Sequence, residues 1–284
     1  MTGESSGRAA LHVAVRRGAG TPEAAAPARR LILTPAEWAV LVDGRLTDLP
    51  PAFAVPCDAV ADRDDAVASL SRREVLLPAA AAGPAEPVPA VAGTLEVLRR
   101  PALSLLLDVT GRGGTRQGWF AVGAGVVAGV LTLPGGGVEL SLAPDVRLGA
   151  ELARAVPEAT PGSGPGNPEE AGPGAAPSGR LPLGLLEGAS TPAGATQDET
   201  ALAEELLRRT TGSLSCLVLG RAGRSVGAGQ VSWLATDGGW VGLRPLPNGS
   251  LRRLVDVVPV QPADLGTWVA PAVAALLEAS VEPA

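Results

Sequence analysis

The chain has 284 residues and a formal net charge of −6, and all 23 of its basic residues are arginine; this length allows one large domain or two small ones, and the acidic balance speaks against a nucleic-acid binder, whose affinity rests on clustered positive charge. Hydrophobic residues make up 46% and aromatics only 2%, with no Tyr, so a core can be buried but must be built from Leu, Val and Ala. One histidine, His12, and two distant cysteines, Cys57 and Cys216, do not supply the usual zinc arrangements, and separate thiols in a reducing cytosol fit them better than a disulfide.

Residues 1–29 read as a disordered arm. "LHVAV" is too short for the apolar region of a signal peptide, and its Arg pair follows rather than precedes it. Order begins with "LTPAEWAVL", a strand end running into a helix. Thr34 is a good N-cap, and Pro35 falls at the first helical position, where its missing N–H costs nothing. Glu37 closes a capping box with Thr34, and Leu33 and Trp38 stand at the staple positions. Trp38, Leu41 and Val42 share one face, and Gly44 ends the helix. Residues 60–77 place Val67, Leu70 and Val75 at helical spacing, "AAAAGPAEP" is a connector, and 88–99 predict a helix with Leu95 and Leu98 inward.

Then the period changes to two. In "LSLLLDV", Leu103, Leu105, Leu107 and Val109 face one way, and Ser104 and Asp108 the other. "RQGWFAV", "VVAGVLTL" and "GVELSL" follow across Gly-rich turns, which predicts a four-stranded antiparallel meander. "APDVRLGAELARAV" closes it as a helix with Leu148, Leu152 and Ala155 inward. Residues 157–180 are half Pro and Gly, with no Val, Leu, Ile or aromatic residue. Such a segment cannot offset its ordering entropy by burial, so a flexible loop is expected.

The pattern then recurs. A second capping box, Thr196 with Glu199, starts a helix through Leu202, Leu206 and Leu207. "LSCLVLG" resembles "LSLLLDV", and "GQVSWLATDGGWVGLRPLPNG" has the strand–turn spacing of "GWFAVGAGVVAGVLTLPGGG". The last helix carries Leu265, Trp268, Val269, Ala272, Val273, Leu276 and Leu277 in one stripe, and Pro271 within it predicts a kink or break. The fold expected is α+β: two helix–four-strand–helix repeats, 30–156 and 181–284, related by a quasi-two-fold. Their strands form one antiparallel sheet or two abutting sheets, flanked by helical bundles.

Three stretches resemble chemistry or a membrane span. "GRSVG", Gly223 to Gly227, matches G-x-S-x-G and makes Ser225 the nucleophile of a rival serine-hydrolase reading, but a strand-like segment follows and His12 lies upstream. "GAGVVA", Gly123 to Ala128, matches a dinucleotide pattern, but a turn stands where that site needs a helix. Gly118 to Val138 carries no charge over 21 residues, enough to span a bilayer as a helix, yet its glycines and Pro134 favour hairpins. A membrane-associated structural component is the second rival.

"LILTPAEWAVL", the helix ending "LEVLRRPALSLLLDV", the sheet "QGWFAV…VVAGVLTL…GGVELSLAP" and the spacing of the last helix together resemble the ESX secretion-associated EspG family of actinobacteria over about residues 30–280. No single motif is diagnostic; the order of elements carries the resemblance. It implies a cytosolic, non-enzymatic type VII secretion chaperone without a cofactor. Such a protein binds a PE/PPE-like or WXG100-like helical substrate and shields its apolar tip before export. The Pro/Gly-rich insertion and the basic-poor sheet turns depart from the better-known members, which leaves the client open. One sheet face and the carboxy-terminal helix are the expected contact surfaces. Trp233, Trp240, Val269 and Val273 are the candidate partner-binding residues, because Trp is enriched at interface hot spots; packing under a helix is the alternative for each Trp.

Overall fold

The structure, a computed structural model, describes residues 29–55, 59, 62–78, 85–158, 175–187, 194–222, 225–246 and 253–281. Residues 1–28 and 159–174, on which most of the expected arm and loop fall, lie outside them.

Strand β1 (Arg29–Leu33) runs into helix α1 (Pro35–Val42). The capping box forms as read: Thr34 Oγ1 accepts from Glu37 N at 3.2 Å, and Glu37 Oε2 accepts from Thr34 N at 3.0 Å. Trp38 is buried, and its indole donates to the Phe53 carbonyl at 2.9 Å. Gly44 then takes φ +65°, a left-handed turn that lets the chain leave the helix.

Helix α2 (Arg63–Arg72) is shorter than its spacing predicts. Glu74 turns to φ 56°, and Val75 N bonds back to Leu70 O. The chain continues as β2 (Leu76–Leu77), paired with β3 (Glu86–Pro87). Val75 therefore reaches the core from a turn, not from the helix. Helix α3 (Pro89–Arg99) buries Leu95 and Leu98 as expected.

The first meander is β4 (Leu103–Gly111), β5 (Gly114–Gly123), β6 (Val126–Thr132) and β7 (Val138–Pro144), followed by α4 (Leu148–Ala155). The second unit contains β8 (Gly179–Pro182), α5 (Gln197–Arg209), β9 (Thr210–Ala222), β10 (Ser225–Thr236), β11 (Gly239–Pro245), β12 (Leu254–Val260) and α6 (Leu265–Val281). In α5 the inward stripe is Ala203 and Leu206, and Leu207 points outward at 48% exposure.

Among the described residues, ten strands join one sheet in the order β1-β7-β6-β5-β4-β9-β10-β11-β12-β8. The expectation of four strands per half gains an edge strand on each side, β1 and β8, both too short and irregular to show a period of two. The halves meet where β4 and β9 pair antiparallel, Leu106 opposite Leu217 and Leu107 opposite Cys216. Read inward from either edge, the order is the same: an edge strand, then the fourth, third, second and first strands of a meander.

Alternation decides which face each side chain takes. Leu103, Leu105, Leu107 and Val109 of β4, with Leu214, Cys216 and Val218 of β9, lie under α4 and α6. The opposite face of the first half buries Trp119, Ala121, Ala128 and Val130 under α1–α3. The same face of the second half buries Val241, Val255 and Val257 against α5. Helix α6 runs unbroken through Pro271, so of the kink or break expected there the break does not occur. Helices α4 and α6 cross at two glycines: a Cβ built on Gly266 would stand 2.7 Å from Gly149 Cα.

Candidate functional site

The helices on the α1–α3 face leave a gap. Clusters gather over β5–β7 and over β11, β12 and β8, while among the described residues no helix lies over the centre of the sheet on that side. Register fixes what lines this strip. One row is Ser104, Leu219 and Ala228, the next Leu106, Leu217 and Gln230, and the third Asp108, Ser215 and Ser232. The strip is therefore apolar at the end nearest α3 and polar at the other.

The polar half is held by side-chain bonds across strands. Gln117 donates to Asp108 at 2.9 Å, Gln230 donates to Ser215 Oγ at 3.1 Å, and the Thr110 and Ser213 hydroxyls meet at 2.9 Å. The apolar half opens into two adjoining hollows of about 590 and 570 Å3. They share Arg99, Pro101, Ser104 and Leu219. One is walled by the Leu46–Pro51 segment after α1 and reaches Leu106 and Trp119. The other reaches Val226, which is 73% exposed. An exposed Val thus stands beside half-buried Leu side chains on a part of the sheet that no described helix covers.

The residues read as partner contacts lie elsewhere. Trp233, Trp240 and Val269 are buried in the cluster beneath α4 and α6, and Val273 is half-buried against it. Trp233 stands edge-on to Trp268, with ring centroids 5.9 Å apart, and Trp240 donates to the Pro157 carbonyl at 3.0 Å. The physical reason is register: Trp233 and Trp240 occupy the face that α6 covers. The open strip and α6 are on opposite faces of the sheet, so they do not form one continuous surface across it.

The motif readings resolve locally. Ser225 opens β10, and Val226 and Gly227 continue that strand, where a nucleophile elbow requires a helix. Gly223, Arg224 and His12 lie outside the described residues. Gly123 ends β5, Ala124 and Gly125 turn, and Val126 starts β6, so the dinucleotide pattern is a hairpin. The uncharged stretch from Gly118 folds as strands, and no helix among the described residues is long and apolar enough to cross a membrane. Cys216 is a buried free thiol, and burial pushes its pKa up to about 12, which keeps it protonated and unreactive. Cys57 lies outside the described residues.

These features define an α+β protein built on one large antiparallel sheet, with helices on both faces and a central strip that no described helix covers. The chain belongs to the EspG family, whose pattern matches residues 34–270. Among solved structures, it is similar to the Mycobacterium tuberculosis type VII secretion system chaperone EspG5, solved in complex with a PE25–PPE41 dimer. The TM-score is 0.55 at 10% sequence identity, over 89% of this chain and 96% of that one. That likeness establishes the fold. No curated protein matches the chain.

Proposed function

We propose that this protein is a cytosolic type VII secretion chaperone or adaptor. It binds a PE/PPE-like or WXG100-like helical-hairpin substrate and shields its apolar tip before export, without catalysing a reaction. Family membership supports the chaperone class, and EspG5, which has the same fold, is bound to a PE25–PPE41 dimer. The observation that carries the reading is the open strip, where Leu106, Leu217, Leu219 and Val226 face outward between two helix layers. An amphipathic helix laid in such a groove is a recurring mode of recognition. Trp233, Trp240 and Val269 act indirectly, by fixing α6 to the back of the sheet and so keeping the strip in shape.

The test is co-expression with each PE/PPE-like and WXG100-like protein of the same genome, followed by size-exclusion chromatography and calorimetry. The expected result is a stable complex whose heat-capacity change is negative, as burial of apolar surface requires. It should weaken when Leu217 and Leu219 are both replaced by Ser. If none of these proteins binds, while the purified chain hydrolyses an ester in a Ser225-dependent way, the reading is wrong.

A further inference from the structure

Resting on the docking reading above, we infer that the partner is acidic where it meets the end of α3: it presents an aliphatic side chain flanked by carboxylates. The hollow beside Val226 has an apolar floor of Leu219, Val226 and Ala102. Its only charged lining residues among those described are Arg99 and Arg100. The two arginines differ in engagement. Arg99 grips Glu96 through two bonds, at 2.7 and 2.8 Å. Arg100 reaches the same carboxylate only at 3.7 Å, and its side chain is 71% exposed. One carboxylate thus faces two guanidinium groups, and Arg99 takes its better geometry.

The local charge also runs against that of the molecule. The chain as a whole carries −6, so a carboxylate-bearing partner gains no long-range steering from this protein. It gains pairing only at contact, and the arginine rim therefore acts as a register and specificity element. A basic helix end would set its charges against Arg100. An uncharged one would leave Arg100 only its long contact with Glu96 while removing part of its hydration, which costs desolvation with little return.

The experiment uses the full chain and two synthetic amphipathic helices of about 18 residues, roughly 27 Å long. Their Leu faces are identical, and the flanking positions carry Glu in one and Lys in the other. Binding is followed by fluorescence anisotropy at low and high salt. The Glu peptide should bind about tenfold more tightly at low salt, and the gap should shrink as salt is added. Arg100→Glu should remove or invert the preference. Val226→Asp should weaken the Glu peptide, and Val226→Arg should not. The high exposure of Val226 makes both substitutions safe for folding. Equal affinities, a preference for Lys, or no binding of either peptide overturns the inference. Leu219→Ala separates the two ideas. If it weakens both peptides while Arg100→Glu changes neither, the acidic partner falls and the docking face stands. If neither variant changes binding, both fall.

Discussion

Replacing Glu37 should cost more stability than any other single charge in the first half, because one buried carboxylate serves three neighbours. It is 3% exposed. It accepts from Thr34 N at 3.0 Å, from Ser69 Oγ at 2.8 Å and from Arg73 at 2.9 Å, and so ties α1 to α2. Arg73 in turn donates to the Ile32 carbonyl of β1 at 2.7 Å. Loss of a cap costs about 1 kcal/mol, and a hydrogen bond to a charged group about 1.5–3 kcal/mol. Arg73 is 38% exposed and can turn to water, which discounts its share. Glu37→Ala should therefore lose about 3 kcal/mol, and Glu37→Gln, which can still cap, about 2 kcal/mol. At about 2–4 °C per kcal/mol for a domain of this class, the Ala variant should melt roughly 6–12 °C lower. The pH dependence follows. Burial acts to raise the Glu37 pKa, but the bonds from Thr34, Ser69 and Arg73, with the charge of Arg73, outweigh it and hold the pKa below its ordinary value. A carboxylate depressed in the folded state contributes stability above its unfolded pKa and loses it as pH falls through the folded value. The gap between wild type and Glu37→Gln should thus be full at neutral pH and close from about pH 5 downward. Calorimetric melting over pH 3–8 measures it. A Gln variant within about 1 °C of wild type at pH 7 would refute the reasoning.

Other expectations follow from packing. Gly266→Ala should destabilise by about 1–3 kcal/mol, because the added methyl meets the Gly149 backbone. Gly149→Ala should cost less, since its Cβ would stand 3.4 Å from Gly266 Cα; thermal melts of the two variants check the asymmetry. Trp233→Ala should cost about 3–5 kcal/mol and reduce near-ultraviolet circular dichroism, whatever the partner. A crystal structure of the complex with the client should superpose residues 103–156 on 214–277 with matching strand order, and a failure to superpose would remove the quasi-two-fold relation.

Much of this architecture is legible locally. Both capping boxes form where Thr-x-x-Glu precedes an apolar run, at Thr34 and Thr196. The alternation of Leu103, Leu105, Leu107 and Val109 against Ser104 and Asp108 fixes the faces of β4 as observed. The end of β1 is legible from the helix start that follows it, but its place at the sheet edge, and the whole of β8, are harder to read, since five and four residues hold too little alternation. Pro271 does not break α6, because tertiary packing of Leu265, Val269 and Leu276 holds the helix together through a local breaker. Which side chains α6 covers is hard to read for a different reason. Strand alternation shows that Trp233 has a side, but only the placement of α6 decides which side is covered. A usable signal existed in the outward register: Leu106 shares it with Ser104 and Asp108, and Leu217 and Leu219 share it with Ser213 and Ser215. On the function proposed above, apolar residues recurring in an otherwise polar register of adjacent strands mark the face that receives the partner.

The most direct test is a pair of photo-crosslinking sites in the complex with the client. Ala228 is exposed on the open strip, and Ala270 is exposed on the outer face of α6. With benzoylphenylalanine at each position in turn, the account predicts that position 228 crosslinks to the helical tip of the client and position 270 does not. Crosslinking at position 270 with none at 228 would contradict it.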